Sequence, residues 1–318
     1  MTRTSSNRVL LADVGGTNVR FAVLANGVAG PIAHMAVKDH RHFADALAVF
    51  LTDHAGSTIP QAILAVAGVV TGQRCELTNS AWTVDADELR ARFGFETVRL
   101  LNDFEALGWA LPHLPAGHLV QIGGGARVPE LPAVVLGPGT GLGVAVYLPK
   151  VKSVLRSEAG HTTASSASTR EAAVIERLRA KFSHVSVERL LSGDGLENIY
   201  QALSDIGSVA APKRSTAEIT RAARAESCPI SRAAVDMFCA LLGDVAGNLA
   251  LTFCAQGGVF IAGGIIRHIV DHLPHSAFRY RFESKGRLGW YVQPIPIFVI
   301  VCDDPAFVGL RALALELG

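Results

Sequence analysis

Apolar and polar positions alternate in a way that breaks the chain into short, recognisable elements. Residues 10–24 read LLADVGGTNVRFAVL, two apolar runs around a polar turn carrying Gly15-Gly16. That pattern predicts a β-hairpin, with the glycine pair able to take positive φ at the bend. A third strand is expected over 32–37. Positions 43, 46, 47, 50 and 51 are apolar, a helical period over Phe43–Thr52. The unbroken apolar run 62–67, ending at Gly68, predicts a strand buried on both faces. Residues 76–82 read as a strand passing into a loop, and 85–93 as a helix capped by Asp85. A strand over 98–101 meets a helix over 104–111 at Asn102-Asp103. The proline- and glycine-bearing stretch 112–132 marks a domain boundary.

Beyond it the opening pattern recurs. The apolar strand 133–136 runs into Gly137-Pro138-Gly139-Thr140-Gly141-Leu142-Gly143 and out through 144–148. Four alternating glycines strip one face of the turn of side chains. Backbone amides of such turns can face an anion, and Thr17 and Thr140 add hydroxyl donors. One glycine turn is equally an ordinary hairpin. Two, each opening a separate domain, point to phosphate binding and to a duplicated α/β fold. Asp13 ends the first strand, where a carboxylate could hold a cation shared with phosphates.

Later segments add helices over 171–182, from near Asp194, and over 216–225, 230–254 and 305–317, the last begun by Pro305 with Asp303 or Asp304 as cap. Residues 259–262 form a strand ending at Gly263-Gly264, a pair that admits a flat ligand or merely tight strand–helix packing. A late strand region spans 291–301. Glu158 and His161 stand three residues apart around a glycine, so both can be aimed at one point.

Composition narrows the class. The 318 residues are 49% hydrophobic and 18% charged with a formal net charge of +1 and no long basic run, which describes a globular chain and argues against nucleic acid as a partner. The five cysteines are scattered without a C-x-x-C pair, which argues against a zinc site or a disulfide framework and fits a reducing cytoplasm. Residues 1–7 carry no apolar signal sequence. The 22 residues 245–266 lack Asp, Glu, Lys and Arg, yet their internal Gly pairs break them into helix end, strand and turn, so no membrane span is expected.

Taken together, Asp13-Val14-Gly15-Gly16-Thr17-Asn18-Val19-Arg20 resembles the first phosphate motif of the sugar-kinase, actin and heat-shock ATPase superfamily. Residues 137–143 resemble its second phosphate motif, and 258–264 its adenosine motif. Leu101-Asn102-Asp103-Phe104, Glu158-Ala159-Gly160-His161 and Glu188-Arg189-Leu190-Leu191-Ser192-Gly193 resemble the bacterial glucokinase family in its non-zinc branch. The resemblance spans about residues 8–316.

It implies a two-domain actin-like (ribonuclease H-like) α/β fold with a cleft between a small domain, 1–112 plus 303–318, and a large one, 113–302. It implies phosphorylation of D-glucose to glucose 6-phosphate by ATP and Mg²⁺. Asp103 would be the catalytic base. Asn79, Asn102, Asp103, Glu158, His161 and Glu188 would bind the sugar. Asp13, Gly15, Gly16, Thr17, Asn18, Gly137, Gly139, Thr140, Gly141, Gly263 and Gly264 would bind the nucleotide, with Asp13 nearest the metal. The expected protein is a cytoplasmic homodimer with glucose and ATP as its only partners. Two other readings stay open: a kinase for fructose or mannose, and a sugar-sensing regulator on the same fold. The regulator would need a DNA-binding extension, for which the early first strand leaves no room.

Overall fold

The computed structural model describes residues 8–54, 58–78 and 80–317. The chain forms two compact units, one running through Leu114 and resuming at Asp303, the other spanning Pro115–Cys302.

The first unit is built on the predicted hairpin. Strands β1 (Arg8–Val14) and β2 (Asn18–Ala25) pair antiparallel with Asp13 opposite Arg20. Two short strands, β3 (Val28–Ala29) and β4 (Ala33–Ala36), both pair with β2. β5 (Gln61–Val66) lies parallel to β1. A separate small sheet comprises β6 (Gly68–Thr71), β7 (Arg74–Leu77) and β8 (Thr83–Asp85). β9 (Thr97–Asn102) then joins the main sheet parallel to β5, giving the order β3-β2-β1-β5-β9. Residues 62–66 of the predicted run are buried, as parallel strands covered on both faces must be, and Ala67 is half-buried.

Helix α1 (Phe43–Thr52) buries Phe43 and Phe50 against Phe21, whose ring stacks on Phe50 at 5.1 Å. Each such ring withdrawn from water contributes about 1.5–3 kcal/mol. Asp85 caps α2 (Ala86–Phe93) by accepting the Asp87 and Glu88 N–H groups, and Gly94 ends it in the left-handed region at φ 75°. α3 (Asp103–Ala110) packs against the C-terminal helix Pro305–Leu317 so closely that a Cβ on Gly309 would overlap the Ala106 carbonyl. Asp304 stands just before that helix, and its carbonyl accepts the Phe307 N–H at 3.0 Å. Its carboxylate faces Arg20 Nε at 2.8 Å and His34 Nε2 at 3.1 Å.

The second unit repeats the arrangement. β10 (Leu119–Gln121), β11 (Ala133–Pro138), β12 (Leu142–Leu148), β13 (Ser153–Ser157), β14 (Val259–Ile261) and β15 (Ile297–Ile300) order as β10-β15-β14-β11-β12-β13. The antiparallel pair β11–β12 is flanked by parallel β14 and β15, as β1–β2 is by β5 and β9. Helices α4 (Thr169–Arg179), α5 (Gly193–Ile206), α6 (Thr216–Arg224), α7 (Pro229–Thr252), α8 (Gly264–Ile269), α9 (Phe278–Glu283) and α10 (Gly289–Val292) cover it. α10 occupies the start of the region 291–301, so that region is strand only over its last part.

α7 is long and apolar enough to cross a membrane by length and composition. Inside this unit 72% of its apolar window is buried, and the chain then turns into β14. A buried ion-pair network ties α4, α7 and α9. Both oxygens of Glu171 take Arg281, at 2.6 and 3.1 Å, and Arg281 also pairs with Asp244. Lys285 Nζ lies 3.4 Å from Asp244 Oδ1.

Candidate active site

In the first unit the candidate residues gather where parallel strands end. Register aligns Val14 with Val66 and Val66 with Asn102. Asp13 and Asp103 therefore reach the same sheet edge two strands apart, about 10 Å by ordinary strand spacing. The first turn is short. Gly15 N–H donates to Asn18 O at 3.0 Å, and Thr17 and Asn18 are exposed. Neither Gly15 nor Gly16 takes positive φ, contrary to the expectation from the sequence. What favours glycine at 15 is space, since a Cβ there would sit 3.2 Å from Asn18 O.

Asp13 Oδ2 accepts from Arg20 Nη1 at 2.8 Å. Burial pushes the Asp13 carboxyl above its ordinary value of 3.8, against the opposing pull of Arg20. Arg20 in turn reaches Asp304 at 2.8 Å, an ion pair that local sequence pattern gives no sign of.

Asn102 caps α3. Its Oδ1 accepts the Phe104 N–H at 2.9 Å and its Nδ2 donates to Gly68 O at 3.2 Å. The sequence placed Asn102 among sugar contacts; the fold gives its carboxamide a structural task as well. Asp103 is the first residue of α3, half-buried, and its Oδ1 also accepts the Phe104 N–H, at 3.0 Å. Asn79 lies outside the described residues.

In the second unit the glycine loop is tighter than its sequence suggests. β11 continues through Pro138 and β12 starts at Leu142, paired with Pro138, so the turn is Gly139-Thr140-Gly141 alone. Gly139 N–H donates to Gly141 O at 2.8 Å and Gly139 O accepts Gly193 N–H at 2.9 Å. A Cβ on Gly139 would meet nothing within 4 Å, so this face is open. A Cβ on Gly141 would overlap the Glu188 carboxylate, whose Oε2 accepts the Leu142 N–H at 2.8 Å.

Glu158 and His161 sit on one turn, with His161 N–H donating to Glu158 O at 2.9 Å and both side chains exposed. Gly160 between them lies against the Leu142 carbonyl with no room for a Cβ. A cavity of about 480 Å³ adjoins this turn, bounded by Glu158, Thr162, Leu190, Asp244 and Asn248. The two readings of Gly263-Gly264 divide between the residues. Gly263, at φ 106°, packs against the Pro138 carbonyl where no Cβ fits, whereas a Cβ on Gly264 would meet nothing. Among the described residues no three His, Cys, Asp or Glu groups are disposed as a metal cage.

A family model described as Glucokinase matches residues 10–317. The chain belongs to the glucokinase family. It is 43% identical over 316 residues to a protein named glucokinase from Paramagnetospirillum magneticum, covering 98% of both chains. It superposes with TM-score 0.87 on the crystal structure of a glucokinase from an Antarctic psychrotroph, at 31% identity over 98% of this chain and 99% of that one. A ROK family glucokinase from Streptomyces griseus, solved with glucose and AMPPNP, shares the fold at TM-score 0.68 and 18% identity over 97% and 99%. The fold is thus that of the actin-like ATPases.

Sequence reasoning missed one further feature of this glucokinase-family chain. A cavity of about 230 Å³ is lined by Ala217, Thr220, Arg221 and Arg224 of α6 and His268 of α8. α8 begins at the open Gly264. α6 begins at Thr216, whose Oγ1 donates to Gly193 O at 2.8 Å, and Gly193 holds Gly139. Only the fold joins these separated segments.

Proposed function

We propose that this enzyme transfers the γ-phosphoryl of ATP to the 6-hydroxyl of D-glucose. The observation that carries this reading is the full-length likeness, 43% identity over 98% of both chains, to a named glucokinase. Asn79, Asn102 and Asp103 of the smaller unit and Glu158, His161 and Glu188 of the larger are assigned to the sugar. Several polar groups that a wrong epimer would leave unpaired provide selectivity.

Asp103 accepts the proton of the 6-hydroxyl as its oxygen bonds to the γ-phosphorus. The bond from that phosphorus to the β–γ bridging oxygen breaks, and ADP leaves. Such transfer depends on positioning and charge neutralisation more than on covalent chemistry. The two glycine turns, residues 15–18 and 139–141, supply backbone amides to the phosphates. The open face at Gly264 and the α6–α8 cavity are assigned to the adenosine, with Arg221 and His268 beside the base.

Mg²⁺ fits the residues present. It keeps most of its waters and takes one or two carboxylates plus phosphate oxygens rather than an all-protein cage. Asp13 at the mouth of the first turn is that carboxylate, and when bound the ion would neutralise phosphate charge. We further assign the protein to the cytoplasm, without nucleic-acid or membrane partners, on its composition and dispersed cysteines, and take it to be a homodimer on the family resemblance. Incubation with glucose and MgATP, followed by ³¹P and ¹H NMR, tests the reaction. One equivalent of phosphoryl on O6 per ADP is expected. Phosphorylation at another position, or ADP without sugar phosphate, would overturn the reading.

A further inference from the structure

Leu142 is the residue on which the sugar-side segments of the larger unit converge. Its N–H donates to Glu188 Oε2 at 2.8 Å, and its carbonyl lies against Gly160, midway between Glu158 and His161. The same residue opens β12 and closes the second glycine turn. Gly141 has no Cβ because one would fall on Glu188 Oε2, while Oε1 is 3.9 Å from that point. The carboxylate thus has one oxygen committed to the turn and the other directed away from it.

Its backbone is fixed as well. Glu188 O accepts from Ser192 Oγ at 2.8 Å, and Ser192 Oγ caps α5 by accepting the Gly195 N–H at 3.0 Å. Gly193, the next residue, clips the far side of the turn through Gly139 O. The turn is therefore held at both ends by the segment 188–193, once through a charged side chain.

We propose that Glu188 is a positioning residue for the second glycine turn, so that sugar and nucleotide bind cooperatively through the Leu142 peptide. The proposal rests on the sugar and phosphate roles assigned above. A sugar hydroxyl on Oε1 fixes the carboxylate in the orientation that holds the Leu142 N–H. The turn is then already ordered when phosphate arrives, and the ordering is not charged to the second ligand. Linkage makes the effect equal in both directions.

Calorimetric titration of D-glucose, with and without saturating MgAMPPNP, measures the coupling directly. Wild type should bind glucose about fivefold or more tightly when the nucleotide is present. Glu188→Gln keeps an oxygen for the Leu142 N–H, so glucose binding weakens but the enhancement persists. Glu188→Ala and Gly141→Ala both remove the contact and should bring the enhancement to within about twofold of none. Should Gly141→Ala fail to fold, the Gln and Ala variants at 188 decide the matter. An enhancement absent in wild type, lost in Glu188→Gln or fully retained in Glu188→Ala would overturn the coupling. A Glu188→Ala variant with wild-type glucose affinity would instead overturn the sugar role of Glu188, and the coupling route with it.

Discussion

Arg20 Nη1 donates to Asp13 Oδ2 at 2.8 Å across the β1–β2 hairpin. The pair stands directly opposite in register, so the first glycine turn carries its own counter-charge. Burial raises the Asp13 pKa and Arg20 lowers it, the first effect being larger. Metal binding needs the ionised carboxylate, so Mg²⁺ affinity should fall as pH drops through this raised value, above the ordinary 3.8. Arg20→Ala removes the opposing charge and should move that acid limb to still higher pH. Initial rates against Mg²⁺ concentration across a pH series check this; an unmoved or lowered limb would dissociate Asp13 from the metal.

Asp103→Asn should lower kcat by about 10²–10⁴-fold while leaving glucose affinity nearly intact. Its Oδ1 contact to the Phe104 N–H can be kept by an amide oxygen, so α3 is retained. Calorimetry for glucose and a coupled rate assay separate the two effects. Near-wild-type turnover would remove Asp103 as the base.

The elements that could be read directly were those specified by neighbours in sequence. The Asp85 cap lies two and three residues from the amides it accepts, and the hairpin of residues 10–24 is fixed by alternation around one turn. The glycine motifs located two tight turns, but not why glycine is needed. Gly15 and Gly16 adopt no left-handed geometry, and Gly141 is dictated by Glu188, forty-seven residues away. Asn102 stood out in the sequence for its motif, whereas its cap on the Phe104 N–H is visible only in the fold. Arg20 with Asp304 and Gly309 with Ala106 are pairings made by the fold alone, invisible to any local pattern.

Gly309→Ala tests the support behind Asp103. A Cβ there overlaps the Ala106 backbone of α3, where no flexible side chain can yield. Overpacking of this kind costs about 1–3 kcal/mol, and the melting temperature should fall by several degrees, about 2–4 °C per kcal/mol. Gly117→Ala, with nothing within 4 Å of its Cβ, should melt like wild type. Equal stability of the two variants would refute this view of the α3 contact.

Glu171→Ala should destabilise by about 1.5–3 kcal/mol, because it removes the two-oxygen partner of half-buried Arg281, which retains Asp244. Burial raises the Glu171 pKa, but hydrogen bonds from Arg281 and the Ala167 N–H outweigh it and hold the carboxyl below 4.5. A depressed carboxylate contributes stability above its unfolded value, lost as pH falls through the folded one. Denaturant midpoints should therefore separate wild type from Glu171→Ala near neutrality and converge toward acid. A gap that widens below pH 4.5 would contradict the assignment.

Sugar-facing polar residues decide which hexose receives the phosphoryl group. The most direct measurement is kcat/KM for D-glucose, D-mannose and D-fructose at saturating MgATP, following ADP release. D-glucose should be preferred by about a hundredfold or more, as expected where an epimer leaves polar groups of the site unpaired. Comparable values for the three hexoses, or a preference for mannose or fructose, would contradict it.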